Sequence, residues 1–286
     1  MNQKTSSPSV SPLLFGAYDL HIHPAPSPFN RGQDDVELLR SASQANMAGI
    51  LLKSHYEPTA ARAQLATRHA GGSAKAYGSI VLNWPVGGLN PYAVHNALKR
   101  GAKIVYMPTR DAANSLVSGD MPGDFFRRPG ISILTPQGAL KPEVNLILEI
   151  VRDYGAALAT GHVSPQESVL LCRAGIDMNV RMILTHPEFS RTKICKETQK
   201  ELAEQGVYIE KCWYNIGEGE CTVDEMAENI QYVGARHCYM TTDRGQGTRE
   251  PPVTALSRFA ESLMQTGISI QQLHMMMRTI PEEILA

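Results

Sequence analysis

No stretch of this 286-residue sequence approaches the roughly 20 consecutive apolar residues that a membrane-crossing helix needs. Its apolar runs, Ile50–Leu52 among them, are far too short, so nothing here calls for a bilayer. Charge of one sign is missing as well. The 27 Lys and Arg are matched by 28 Asp and Glu, and a net charge of −1 leaves no bulk footprint for nucleic acid or an anionic membrane surface. Cysteine is scarce: five residues, an odd number with no Cys-x-x-Cys pair, which disfavours a disulfide framework or a zinc knuckle and fits a reducing, cytoplasmic setting. Cys172 and Cys238, set among apolar neighbours, read as core fillers. Also absent are the phosphate-cradling patterns G-x-x-x-x-G-K-[ST] and G-x-G-x-x-G and the G-x-S-x-G nucleophile elbow. No Ser or Cys nucleophile is indicated.

What remains is an ordinary globular composition, 43% hydrophobic and 19% charged with 23 Gly and 18 Pro, which excludes global disorder and a collagen-like chain. Met1–Pro12 is rich in Ser and Pro, with Lys4 its one charge. It lacks the apolar region and cleavage site of a secretory signal, so residues 1–13 read as a flexible tail before one domain over 14–286.

Along that domain a unit recurs: a short apolar run rich in β-branched residues, a polar turn, then a helical pattern. Eight strands are expected, at Phe15–His21, Gly49–Ser54, Ala76–Leu82, Lys103–Met107, Ala156–Gly161, Arg181–Thr185, Val207–Lys211 and His237–Thr242. Their continuous apolarity suits strands buried on both faces. Between them, Lys141–Gly155 has Pro142 at its start and Val144, Ile147, Leu148 and Val151 on one face, while Ser164-Pro165-Gln166-Glu167 and Thr222-Val223-Asp224-Glu225 are capping boxes. Eight such units point to an α/β fold, a single (β/α)8 barrel of the TIM type, with a doubly wound open sheet as the rival. Pro108–Pro136 breaks the rhythm and reads as a long loop insertion after strand 4, over the barrel mouth.

The strongest chemical signal is Asp19-Leu20-His21-Ile22-His23-Pro24. Alternation along a strand places His21 and His23 on one face, where both imidazoles reach one ion. By itself such a pair reads as two solvated histidines. The same placement recurs, however. His162 follows strand 5, His186 follows strand 6 and Asp243 ends strand 8. Four of nine histidines therefore stand at strand C-terminal ends, which converge on one mouth in a barrel. These are metal-ligand side chains, and a divalent cation site follows.

This series, His-x-His, His, His, Asp, resembles the amidohydrolase superfamily of metal-dependent hydrolases. The tail Thr279-Ile280-Pro281-Glu282-Glu283-Ile284-Leu285-Ala286 is similar to that superfamily's closing Asn-Pro-Ala-x-x-Leu-Gly helix, with Ile280-Pro281 in place of Asn-Pro. The likeness runs from about Tyr18 to Ala286. It implies that His21 and His23 bind the more buried metal and that His162 and His186 bind a second metal or the substrate. It implies further that Asp243 ligates metal and accepts a proton from the attacking water. Zinc is the first expectation, with manganese or iron as alternatives, at one or two ions per chain.

The sequence departs from the superfamily pattern at strand 4, where a bridging Lys or Glu is replaced by Tyr106-Met107-Pro108. The nearest substitutes are Lys53 and His55 on strand 2. Lys53 follows a buried run, where an unpaired ammonium is costly; it could be carboxylated, pair with substrate or snorkel to solvent. Asn83, Arg110 and Arg244 are further substrate-binding candidates, the arginines as carboxylate holders. Glu210 and Lys211 end strand 7, with one pointing inward and the choice left open. His69, His95, His237 and His274 read as structural.

The leading expectation is a metal-dependent hydrolase that opens an amide, cyclic amide or lactone bond in a small anionic or aromatic substrate. The same ligands would serve a decarboxylase or a phosphoesterase, and a barrel that binds metal or a small molecule without turnover is the third reading. The expected partner is a small molecule. Homo-oligomerisation is the default among relatives of this kind.

Overall fold

A computed structural model describes residues 11–119 and 127–286. Each of the eight apolar segments forms a strand: β1 Tyr18–Ile22, β2 Gly49–Leu52, β3 Lys75–Val81, β4 Ala102–Tyr106, β5 Ala157–Ala159, β6 Arg181–Leu184, β7 Tyr208–Cys212 and β8 Cys238–Thr241. They pair in parallel in the order β1 to β8. The ends are drawn together by His23 N–H donating to Arg244 O and Asp243 N–H donating to His21 O, both at 2.8 Å. With helices between successive strands, this is a single (β/α)8 barrel, and the open-sheet alternative is excluded.

The continuous apolarity of the strands is explained by two cores. One face of each strand packs against the outer helices, whose stripes such as Val144, Ile147, Leu148 and Val151 are fully buried. The other face fills the barrel with Leu20, Leu51, Val81, Ile104, Ala157, Ile183 and Tyr239. The closing helix, Ile280–Leu285, sits under this inner core, with Ile280, Ile284 and Leu285 packed into it. Lys103 Nζ and Arg181 Nη1, at the starts of β4 and β6, bond the carbonyls of Ala286 and Ile284, so the helix plugs the N-terminal end. The opposite end is left for the site. Both expected capping boxes form, at Ser164/Glu167 and Thr222/Glu225.

The strand boundaries shift by up to three residues from expectation, and those of β1 and β5 have a clear local cause. β1 begins at Tyr18 rather than Phe15, because Pro12–Leu14 forms a 3-10 turn that leaves Phe15 exposed. β5 ends at Ala159 because Gly161 turns out of the sheet at φ +62, and a Cβ there would lie 2.3 Å from Met107 O. Within the expected insertion, Ala113–Val117 is helical and Ala112 bridges Ile131. Residues 120–126 of that segment, and residues 1–10 of the expected tail, lie outside the described residues. Among the described residues no helix is long and apolar enough to cross a membrane. Cys172 and Cys238 are buried free thiols, as core fillers should be.

Candidate metal centre

The C-terminal ends of β1, β6 and β8 bring His21, His186 and Asp243 together, with one potential ligand atom from each within 4.8 Å of the others. His186 and Asp243 both adopt left-handed backbone conformations, φ +47 and φ +50. Such conformations are uncommon outside glycine and recur where a fold must aim a side chain at a site. His23 completes the group. Its Nε2 lies 2.8 Å from Asp243 Oδ1, and Asp243 Oδ1 is also 3.2 Å from His21 Nε2. His186 Nε2 lies 3.5 Å from Asp243 Oδ2.

The ring of His21 is oriented from behind. Its Nδ1 lies 2.9 Å from Glu210 Oε1, so the carboxylate can accept from Nδ1–H and turn Nε2 toward Asp243 and Lys53. Glu210 also accepts from the Tyr239 hydroxyl at 3.0 Å and from the His186 backbone N–H at 3.1 Å, so one carboxylate fixes two ligands. Strand 7 thus points Glu210 inward, while Lys211 turns outward to a buried pair with Glu188.

At His21 the Asp243 and Glu210 carboxylates outweigh burial and raise the imidazole, whereas at the other imidazoles of the site the outcome is set by burial. Burial keeps His23 and His186 neutral, lowering them to about 3 and about 4, and lowers His162 and His55 well below the ordinary imidazole value. Neutral imidazoles are the form that binds metal. Burial alone would raise the carboxylates, but the neighbouring histidines outweigh it. His21 and His186 hold Glu210 at about 2, and His21 and His23 hold Asp243 well below the usual range. Asp19, bonded by Thr241 and Thr242, is instead raised by burial to about 6.

His162 is buried beside His186, ring centroids 5.6 Å apart, and its Nε2 has no hydrogen-bond partner among the described residues. Lys53 is fully buried, lies over the Tyr106 ring at 4.4 Å and donates to His21 Nε2 at 2.7 Å. His55 stacks on His23 at 4.5 Å, with Nδ1 2.8 Å from the Thr109 hydroxyl. Lys53, His55, His162, Arg110 and Asp243 line one cavity of about 170 Å³.

Two expected substrate contacts are not brought to it. Asn83 is buried with its amide used up: Nδ2 donates to His55 O and Thr109 Oγ1, and Oδ1 accepts from the Thr109 and Asp111 backbone N–H groups. It braces the strand-2 and strand-4 loops. Arg244 is held away by Glu218 and Glu250, and a Cβ on Gly217 would meet its guanidinium. At strand 4 the bridging position is filled by Tyr106, whose hydroxyl donates to Leu20 O.

Sequence reasoning missed Arg31, Phe29, Tyr214 and Gln246, which also line the cavity. Arg31, Phe29 and Gln246 stand on loops, where neither period applies, and Tyr214 on the short helix Trp213–Gly217 that follows β7. The donor set, four imidazoles and one ionised carboxylate with an unpartnered buried Nε2, fits a divalent transition metal of the zinc class.

No curated protein matches the sequence. Among solved structures, an amidohydrolase from Pseudomonas aeruginosa superposes with a TM-score of 0.64 at 12% identity, over 96% of this chain and 97% of its own. The organophosphorus hydrolase from Deinococcus radiodurans gives 0.62 at 12%, over 95% and 93%. The 2,6-dihydroxybenzoate decarboxylase from Rhizobium gives 0.54 at 12%, over 95% and 99%. At such identity the likeness is one of fold, and it bears out the expected single (β/α)8 barrel. In sequence, residues 16–210 match a family of unknown function (DUF6282), and the chain belongs to that family.

Proposed function

We propose that this protein is a metal-dependent hydrolase that opens an amide, cyclic amide or lactone bond of a small substrate. The observation that carries the reading is the convergence of His21, His186 and Asp243 behind a cavity lined by catalytic-type side chains. His21, His23, His186 and Asp243 would hold one divalent ion, zinc first among the candidates. When bound, the ion acidifies a water and polarises a carbonyl.

The remaining chemistry belongs to the chain. Asp243 is ionised at neutral pH because two imidazoles hold its proton affinity down, so its carboxylate is available to accept the water's proton. Lys53 presents Nζ to the same space, its proton loosened by burial, and can donate to the oxygen on which charge develops. His55, kept neutral by burial and oriented by Thr109, can hydrogen-bond the leaving group, to which Asp243 would return the proton it took from the water. The enclosure also limits size: about 170 Å³ lies below the roughly 300 Å³ of the smallest drug-sized pockets, which favours a small metabolite.

A screen of lactones, cyclic amides and linear amides, with carboxylic acids included to register CO2 release, tests the reading. Turnover should vanish on chelation and return with zinc or manganese. Turnover that survives complete metal removal would contradict it.

A further inference from the structure

Among the described residues, the cations Arg31, Lys53 and Arg110 and one carboxylate, Asp243, line the cavity. That carboxylate is turned toward His21 and His23, away from the arginines, so the rest of the wall is positive. A wall of one sign concentrates ligands of the other.

Arg31 is the most informative of the three. It lies in the loop after β1, and its backbone is fixed rather than free. Arg31 bridges Gln246, Gly32 N–H donates to Gly245 O at 3.0 Å, and Gly247 N–H donates to Asn30 O at 3.2 Å. The loop is therefore sewn to the segment that carries Asp243, and the guanidinium is placed at a set position beside the site. Its Nε donates to Ser27 Oγ at a long 3.4 Å, and among the described residues no carboxylate forms an ion pair with it. The charged groups facing it are Asp243, Tyr56 and Arg110, and burial weakens its hold on its proton. A half-buried guanidinium with a second arginine as neighbour is unfavourable unless an anion completes it. Tyr214 and Phe29 line the same cavity and offer apolar surface, Phe29 being stacked on Tyr56 at 5.8 Å with the Arg110 guanidinium 4.4 Å from its centroid.

We propose that Arg31 is the anchor for a carboxylate on the substrate, whose apolar body lies against Phe29 and Tyr214, so that the substrates are small organic carboxylates. The planar fork of the guanidinium matches a carboxylate through two parallel bonds, which Ser27 leaves open by taking only Nε. The assignment of a reacting bond near Asp243 rests on the proposed hydrolase reading; the anion subsite itself does not.

Calorimetric titration of acetate, benzoate and phenylacetate, with benzamide and inorganic phosphate alongside, tests this on the full chain, once loaded with zinc and once stripped by chelator. Benzoate or phenylacetate should bind in both states, benzamide far more weakly, and Arg31→Gln should weaken the carboxylates at least tenfold in both. Arg31→Lys should recover part of the loss, and Arg249→Gln, an arginine outside the cavity, should change nothing. The inference is overturned if no carboxylate binds, if Arg31→Gln leaves affinity within twofold while the variant melts like the parent, if phosphate alone binds, or if carboxylates bind only when zinc is present. If the protein holds no metal yet binds benzoate through Arg31, the subsite stands and the hydrolase reading fails.

Discussion

Glu210 offers the sharpest perturbation of the metal centre, because it touches no solvent and orients two ligands at once. Replacing it with Gln keeps an oxygen able to accept from His21 Nδ1–H, so the useful tautomer survives, but removes the negative charge that raises the basicity of the ring. Replacing it with Ala removes both. Loss of such an outer partner costs about 10–100-fold in metal affinity, or about 1.4–2.7 kcal/mol. Glu210→Gln should fall near the lower end and Glu210→Ala near the upper. Zinc affinity can be read by competition with a chromophoric chelator, and a thermal melt checks that each variant folds, since the Tyr239 hydroxyl and His186 N–H also lose an acceptor. A double-mutant cycle isolates the pathway. In a His21→Ala background, Glu210→Gln should cost less than about threefold, because its main client is gone. The reasoning is refuted if folded Glu210→Ala binds zinc within threefold of the parent, or if the two substitutions are additive.

Lys53→Met should retain or tighten zinc, since an ammonium is removed from His21 Nε2, yet lose about 10²–10⁴ in turnover; metal analysis beside an activity assay checks both halves. Lys211→Met breaks the buried pair with Glu188 and should destabilise the fold by about 3–5 kcal/mol in urea unfolding, with most of it recovered in Lys211→Met/Glu188→Leu. The metal-free protein should lose stability as pH falls from about 6.5. His23 and His186 stay neutral in the fold down to about 3 and about 4, whereas unfolded imidazoles take up protons near 6.5. Asp19, raised to about 6, works in the opposite sense between there and pH 4, because the fold binds its proton more tightly. His55 and His162, also held neutral by burial, act with His23 and His186, and together they outweigh Asp19 and the raised His21, so chemical denaturation at pH 4.5 should show at least about 3 kcal/mol less stability than at pH 7. Equal stability at the two values would contradict this.

The barrel was legible because its signal is repetitive: eight apolar runs, each followed by a helical stripe, constrain one another even where one boundary slips, as at Phe15. The candidate metal ligands were legible for a related reason. His21, His23, His186 and Asp243 each sit at or just after a strand end, a position that sequence fixes once the strand is placed. Glu210 was half legible, since alternation along β7 says that Glu210 and Lys211 face opposite ways but not which way. The side chains that shape the cavity were not. Arg31 and Arg244 look alike as arginines on loops, and the pairing of Arg244 with Glu218 and Glu250 depends on how two distant loops fold back. Asn83 faces the right end of the barrel, but its amide is consumed by neighbours that no local pattern reveals.

The central claim is that His21, His186 and Asp243 hold a catalytic divalent ion. Elemental analysis of the purified chain, as isolated and after equilibration with zinc, tests it most directly. The account predicts one ion per chain, retained through gel filtration and lost in Asp243→Asn and in His186→Ala. Parent protein that stays metal-free after equilibration, or a His186→Ala variant that keeps its full complement, would contradict it.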